Sequence, residues 1–221
     1  MRNLVIFGAT ELAGMVRYYA TEEHGREVTA FVVDEGYRTQ EWFHGVPVIE
    51  WPEMQARFTP ADTDCFIALG YRVMRRRRMV YEQVTKAGYH CINLVSPASY
   101  VAKSARLGES NLVFPGVVIE PGVRIGTNNI IWSNTTICHD TVIGNHNFIA
   151  ANVTFGGHAR LGDANFIGFS STILQHIVIG NEALIGAQTL VREPTRDLHR
   201  YWGVPAREAG VIDAAKGVCV D

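Results

Sequence analysis

From Val101 to Val191 an apolar side chain stands at every sixth position without a gap: Val101, Leu107, Val113, Ile119, Ile125, Ile131, Ile137, Ile143, Ile149, Phe155, Leu161, Ile167, Ile173, Ile179, Ile185 and Val191. A period of six belongs to neither an α-helix nor a single β-strand; it marks a repeat architecture. A longer period rides on it, because Gly108, Gly126, Gly144, Gly162 and Gly180 recur every 18 residues. Three hexads therefore make one turn of a triangular coil with the aliphatic positions stacked inside. Residues four places after each aliphatic, such as Ala105, Val117, Val123, Val153, Ala159, Ser171 and Ala183, are mostly small and also point inward. The glycines suit a tight corner. Successive turns pair as parallel strands roughly 4.8 Å apart. The pattern predicts a parallel β-helix of hexapeptide repeats over residues 98–193, followed by a tail, 194–221, that caps or crosses its open end.

Residues 1–97 follow a different pattern. "NLVIF" is a short buried-strand run ending at Gly8, and the segment after it places Leu12, Met15, Val16 and Tyr19 at the spacing of one helical face. "VTAFVVD" predicts a second strand ending in Asp34, and "DCFIALG" a third ending in Gly70, with a turn or short helix led by Pro52 between them. Residues 72–88 read as a helix closed by Gly88, and 89–95 as a fourth strand. Strands alternating with helices predict an α/β domain built on a small Rossmann-like parallel sheet. Its ligand crevice lies at the carboxyl ends of the strands, near Gly8, Ala9, Thr10, Asp34 and Gly70. The first loop lacks the G-x-G-x-x-G fingerprint, which argues against a nicotinamide dinucleotide. Asp34 suits a ribose hydroxyl and equally a plain turn.

Composition narrows the function classes. With 221 residues, a formal charge of −2 and a pI near 6.4, nothing favours nucleic acid or an anionic membrane as partner. No apolar run reaches the roughly 18 residues of a membrane span. Cys65, Cys91, Cys138 and Cys219 are scattered without a C-x-x-C pair, as expected of reduced thiols in a cytoplasmic protein. The run Arg75–Arg78 goes round a helix and reads as mostly solvated.

Against this background the stretch "ICHDTVIG", residues 137–144, stands out. His139 and Asp140 lie between the inward positions Ile137 and Thr141, so they face outward and add nothing to the core. A carboxylate beside an imidazole fixes its tautomer and supports it as a general base. Asp140, His158 and His176 differ by 18 and stack in one outward column, and Gly157 lies one coil above His139, where its amide can donate to an oxyanion. Cys138 is read as packing. A zinc site is a rival, but the histidines at 139, 146, 158 and 176 lack the close H-x4-H pair of gamma-class carbonic anhydrases, so no metal is expected. An exposed polar pair on a non-catalytic scaffold is the other rival.

The hexads, "CHDTVIG", the closing "YWGVPAR" at 201–207 and the opening "INLVSPASYVAKSARLG" resemble the hexapeptide-repeat sugar acyltransferases related to sialic acid O-acetyltransferase. In layout the chain is most similar to bacterial N-acetyltransferases of nucleotide-linked 4-amino-sugars, the bacillosamine or perosamine type. The likeness extends to "VIFGAT", "FVVDE" and "CFIALG" of the first domain. It implies a left-handed β-helix assembled as a homotrimer, with active sites between neighbouring prisms. It implies acetyl-CoA-dependent N-acetylation of a nucleotide-linked amino-deoxysugar, with O-acetylation or transfer of another acyl group as the alternative. His139 would be the base, Asp140 its support and Gly157 the oxyanion donor. Acetyl-CoA would pass Phe148, Phe169 and Ala187, and Gly8, Ala9, Thr10, Asp34 and Gly70 would hold the nucleotide. Two positions depart from the relatives: Leu12 replaces a histidine in the first loop, and Phe148 stands where a second histidine often lies near the thioester.

Overall fold

The computed structural model describes residues 2–220. It comprises two compact units, one running to Gly70 and resuming over Met79–Leu94, the other formed by Tyr71–Arg78 and the chain from Val95 onward.

In the first unit, β1 (Asn3–Phe7), β2 (Val28–Val33), β4 (Val46–Glu50), β5 (Thr63–Ile67) and β6 (His90–Cys91) form a parallel sheet, and β3 (Trp42–Phe43) joins β4 antiparallel. The order is β3-β4-β2-β1-β5-β6. Strands such as Thr63–Ile67 are buried along their whole length, as a sheet covered on both faces requires. Helices α1 (Glu11–Tyr18) and α2 (Trp51–Arg57) follow β1 and β4, and α3 (Met74–Lys86) precedes β6. Val5, Phe7, Val32, Ile49, Met54, Ile67, Val80 and Val84 share one core cluster. Asp64 gathers Arg2 Nε at 2.7 Å, Arg26 Nη2 at 2.9 Å and His90 Nδ1 at 3.2 Å. Burial would raise its pKa, but the hydrogen bonds from Arg26, His90 and Arg2 outweigh that and hold it below the ordinary carboxylate range.

Three expectations change here. The β3–β4 hairpin, turned by His44 and Gly45 at φ 48° and 74°, was invisible as a pattern because Trp42–Phe43 is too short to alternate; two positive φ values in a two-residue loop match the strand twist. The single strand expected over 89–95 is two: His90–Cys91 completes the first sheet, and Leu94–Val95 pairs in the coil. The second unit therefore starts at Val95 rather than after residue 97, and it also claims Tyr71–Arg78.

The second unit is a left-handed parallel β-helix of two-residue rungs in three sheets. In what we term the first sheet the rungs include Leu112–Val113, Ile130–Ile131, Phe148–Ile149, Phe166–Ile167 and Leu184–Ile185; in the second, Val118–Ile119, Thr136–Ile137, Thr154–Phe155, Thr172–Ile173 and Leu190–Val191; in the third, Arg124–Ile125, Val142–Ile143, Arg160–Leu161 and Val178–Ile179. Each rung pairs with the one 18 residues on, for example Ile119 with Ile137 and Ile137 with Phe155. The sixth-residue positions form the core. The tail is no separate piece: His199–Trp202 pairs parallel with Leu184–Ile185, and Arg207–Val211 returns antiparallel along it.

Two features of the coil went unseen in the sequence. From Leu107 to Ile185 the left-handed backbone falls three places after each sixth-residue core position, on residues such as Asn128, Asp140, His146, His158 and Glu182 with φ of 50–60°, and not on the recurring glycines. At one corner the inward position is filled by a buried column, Asn111, Asn129, Asn147 and Asn165. Each side-chain Oδ1 accepts the backbone N–H of the next, at 3.0, 2.9 and 2.8 Å, and Ala183 closes the series at 2.7 Å. The arginine run is also not simply solvated. Arg75 makes a two-pronged bond to Glu182 at 2.7 and 3.0 Å. Arg77 is fully buried, donating from Nη2 to the Asn147 carbonyl at 2.9 Å, and burial pulls its pKa down to about 9. Among the described residues no helix is long and apolar enough to cross a membrane.

Candidate functional site

The corner that follows the rung Thr136–Ile137 is pinned at both ends. Ile137 is fully buried, and Thr141, also buried, donates from Oγ1 to the Gly156 carbonyl at 3.1 Å. The residues between them must loop outside. Asp140 occupies the left-handed position with φ 57°, a conformation that aspartate tolerates better than most residues. Backbone bonds fix the loop to its neighbours: the Asp140 N–H donates to the Pro121 carbonyl at 3.1 Å, and the His158 N–H to the His139 carbonyl at 3.0 Å. Glu120 Oε2 accepts the His139 N–H at 2.7 Å.

On this frame the His139 and Asp140 side chains meet, with Nδ1 3.0 Å from Oδ2. A carboxylate at that nitrogen holds the ring proton on Nδ1 and leaves the Nε2 lone pair free. Nε2 lies over Gly157: a Cβ there would come within 2.6 Å of it, so any other residue would displace the ring. The Gly157 N–H makes no hydrogen bond among the described residues. A basic nitrogen and an unspent amide donor thus lie side by side, which is the pairing acyl transfer needs. His158 Nε2 is 3.8 Å from Asp140 Oδ2, and the His158 ring stacks on His176 with centroids 5.0 Å apart and planes at 4°. The column expected from the 18-residue spacing is present. His139, Asp140 and His158 each offer one donor atom, all within 4.8 Å of one another. Burial, and then the Glu120 carboxylate, raise the pKa of the Cys138 thiol, the wrong direction for a nucleophile.

Not every expected residue joins this group. Phe169 and Ala187 are exposed, but they follow rungs of the first sheet and so lie at the corner between the first and second sheets, whereas His139 and Gly157 lie between the second and third. Phe148, expected as a cofactor contact, is only 2 % exposed. Its ring stacks on Phe166 at 5.5 Å and meets the edge of Tyr71 at 4.8 Å; an apolar ring already covered by aromatics offers no surface, which corrects that expectation for the single chain. Along the His139 corner, three rungs on, a cavity of about 260 Å³ is lined by Arg192, Arg196 and Arg207 together with Glu193 and Glu208, and the carboxylates lie 3.8 and 3.7 Å from Arg192 and Arg196. Sequence reading missed it because Arg192 ends the coil while Arg196 and Arg207 come from separate parts of the tail.

In the first unit the expected residues do converge. Gly8, with φ 124°, follows β1, Thr10 holds the N-cap position of α1 without a side-chain cap bond, Asp34 follows β2 and Gly70 follows β5, and these three strands are neighbours. The Gly8 N–H donates to the Val32 carbonyl and the Ala68 N–H to the Phe7 carbonyl, both at 2.8 Å. Ala9 lies between Gly8 and the cap. Because the chain leaves β1 for β2 on one side and returns to β5 on the other, this edge is a topological switch point, where open α/β sheets bind ligands. His44 of the hairpin also approaches: its Nε2 would be 2.7 Å from a Cβ at Gly14.

The family model for the bacterial transferase hexapeptide (six repeats) matches residues 104–139 and 125–157. A search of curated proteins finds no match. Among solved structures, the acetyltransferase domain of PglB from Neisseria gonorrhoeae FA1090 is 24 % identical, covering 95 % of this chain and 100 % of that one with a TM-score of 0.85. PerB from Caulobacter crescentus, in complex with CoA and GDP-perosamine, is 25 % identical over 94 % of this chain and 97 % of its own, with a TM-score of 0.74. WeeI from Acinetobacter baumannii AYE is 21 % identical over 95 % and 100 %, with a TM-score of 0.77. The fold, both units included, is the one these proteins share.

Proposed function

We propose that the chain is an acetyltransferase that moves the acetyl group of acetyl-CoA to the amino group of a nucleotide-linked amino-deoxysugar. The observation that carries this reading is the His139–Asp140 pair set against Gly157. The similarity to proteins described as acetyltransferases, one of them holding CoA and GDP-perosamine, supports it.

The amine nitrogen attacks the thioester carbonyl carbon, and the Gly157 N–H receives the negative charge that builds on its oxygen. His139 Nε2 takes the proton the nitrogen sheds on forming its new bond, and Asp140 stabilises the resulting imidazolium. Collapse re-forms the carbonyl, breaks the C–S bond and passes the proton to the departing sulfur, leaving an amide and CoA. No acyl-enzyme forms. Phe169 and Ala187 lie on another corner from the base, so a neighbouring prism would supply them, and the working form is a homotrimer. The cavity lined by Arg192, Arg196 and Arg207 with Glu193 and Glu208 lies three rungs, roughly 14 Å at 4.8 Å per rung, beyond His139, a distance that an extended pantetheine arm spans before its phosphates begin. Gly8, Ala9, Thr10, Asp34 and Gly70 would receive the nucleotide, and acetyl-CoA and nucleotide sugars place the reaction in the cytoplasm.

The test is CoA release from acetyl-CoA with a panel of UDP-, dTDP- and GDP-linked amino-sugars and their hydroxyl counterparts. Turnover with an amino-sugar supports the reading; turnover only with hydroxyl acceptors, or none at all, contradicts it.

A further inference from the structure

We infer that the His139 corner is also a binding site for a borderline divalent cation, zinc above all, which switches the base off rather than serving the reaction. The inhibitory half of this inference rests on the proposed role of His139; the binding half does not. His139 Nδ1 and His158 Nε2 lie 3.0 and 3.8 Å from the same oxygen, Asp140 Oδ2, and all three donor atoms fall within 4.8 Å. Zinc binds imidazole and carboxylate at about 2.0–2.2 Å, and tetrahedral placement at that radius spaces its ligands by roughly 3.3–3.5 Å. The two separations straddle that value, so small rotations of exposed side chains bring the donors to bonding distance. Two imidazoles and one carboxylate, with a fourth place open to water, form a donor set used by open zinc sites.

The frame behind these donors is rigid. Asp140 and His158 hold the same left-handed conformation in consecutive coils, with φ of 57° and 59°, and the His158 N–H is bonded to the His139 carbonyl. The His158 ring stacks on His176 with planes at 4°, and its Nε2 lies 3.8 Å from Asp140 Oδ2. The His139 and His158 rings meet edge to face, 5.2 Å between centroids, with His139 Nδ1 and His158 Nε2 the nitrogens near the Asp140 carboxylate.

The consequence for the base follows from proton counting. Neutral His139 carries one ring proton; on Nδ1 it leaves the Nε2 lone pair for the amine. A cation on Nδ1 moves that proton to Nε2 and takes the Asp140 carboxylate as well, so the ring has no lone pair to offer. Coordination requires no net gain or loss of protons by His139.

The test uses full-length wild-type, His158→Asn and Cys138→Ser proteins stripped of metal. Zinc is titrated against a chromophoric chelator without acetyl-CoA, and transfer is followed by mass spectrometry of the acetylated sugar, since free CoA thiol itself binds zinc. Wild type should bind one zinc per chain and lose transfer with the same midpoint, with EDTA restoring it. His158→Asn should keep its metal-free rate, yet need at least roughly tenfold more zinc for both effects, because losing a ligand costs no less than losing an outer-shell partner. Cys138→Ser should titrate like wild type. Unchanged zinc affinity in His158→Asn, or loss of binding in Cys138→Ser, overturns the site; binding without loss of transfer overturns the switch. Full transfer by His139→Ala would instead remove the proposed base, and the chelator titration would still decide the binding site by itself.

Discussion

Two corners of the same coil make the instructive comparison. At one, Asn111, Asn129, Asn147 and Asn165 repeat every 18 residues; at another, Asp140, His158 and His176 repeat at the same interval. The first column is buried, and its side-chain bonds run along the column and to backbone carbonyls, including Asn129 Nδ2 to the Gly144 carbonyl at 3.0 Å. The second is exposed, and its polar atoms face one another. The two columns take different places in the hexad: the asparagines stand four places after the aliphatic, where side chains point inward, and Asp140, His158 and His176 three places after it, in left-handed backbone with φ of 57–63° that turns them outward. A polar column that satisfies the scaffold holds the coil together, whereas one that satisfies nothing in the scaffold is available for chemistry.

The comparison can be broken at either corner. The largest effect short of removing the base is expected of Gly157→Val, whose branched side chain collides with the His139 ring. Displacing the ring should cost transfer roughly 10²-fold, read from kcat with circular dichroism unchanged. Asn129→Ala should do the opposite: it strands the Asn147 N–H and the Gly144 carbonyl, lowering stability by about 2–4 kcal/mol in urea unfolding, with kcat near wild type in the folded fraction. If Asn129→Ala lost activity without losing stability, the division between the columns would fail.

The first unit offers smaller effects. Asp64→Asn should lower its stability at neutral pH by about 1–3 kcal/mol, the usual size of a lost charge-assisted network whose arginines can still reach water. Because the Asp64 pKa is lower in the folded than in the unfolded chain, its contribution is complete above the unfolded value near 3.9. It disappears as pH falls through the folded value. Wild type and Asp64→Asn should therefore converge on acidification, as followed by denaturant midpoints from pH 6 to 2. Asp34→Ala should leave the KM for acetyl-CoA unchanged and raise that for the acceptor a fewfold, as steady-state kinetics will show.

The two columns were unequally legible in the sequence. The sixth-residue aliphatics gave the coil at once, because each must point inward in every turn, and the 18-residue offset put His139 beside Gly157. The asparagine column has the same period but is polar, and a reading that follows hydrophobicity passes over it. The burial of Phe148, expected as a contact for acetyl-CoA, is hidden in the sequence because Tyr71, which packs on its ring, arrives from 77 positions earlier in the chain. Arg77 looked solvated because local periodicity cannot show that Asn147 waits for its guanidinium. Distant pairings of this kind leave no local trace.

The central claim is that His139, beside the exposed column and held by its Asp140, supplies the base, and His139→Ala tests it most directly. Acetyl transfer by the variant should fall by roughly 10²–10⁴, the usual value of a positioned general base. Its urea midpoint should match wild type, since the ring is exposed and outside the core. A folded His139→Ala protein turning over at the wild-type rate would contradict the account.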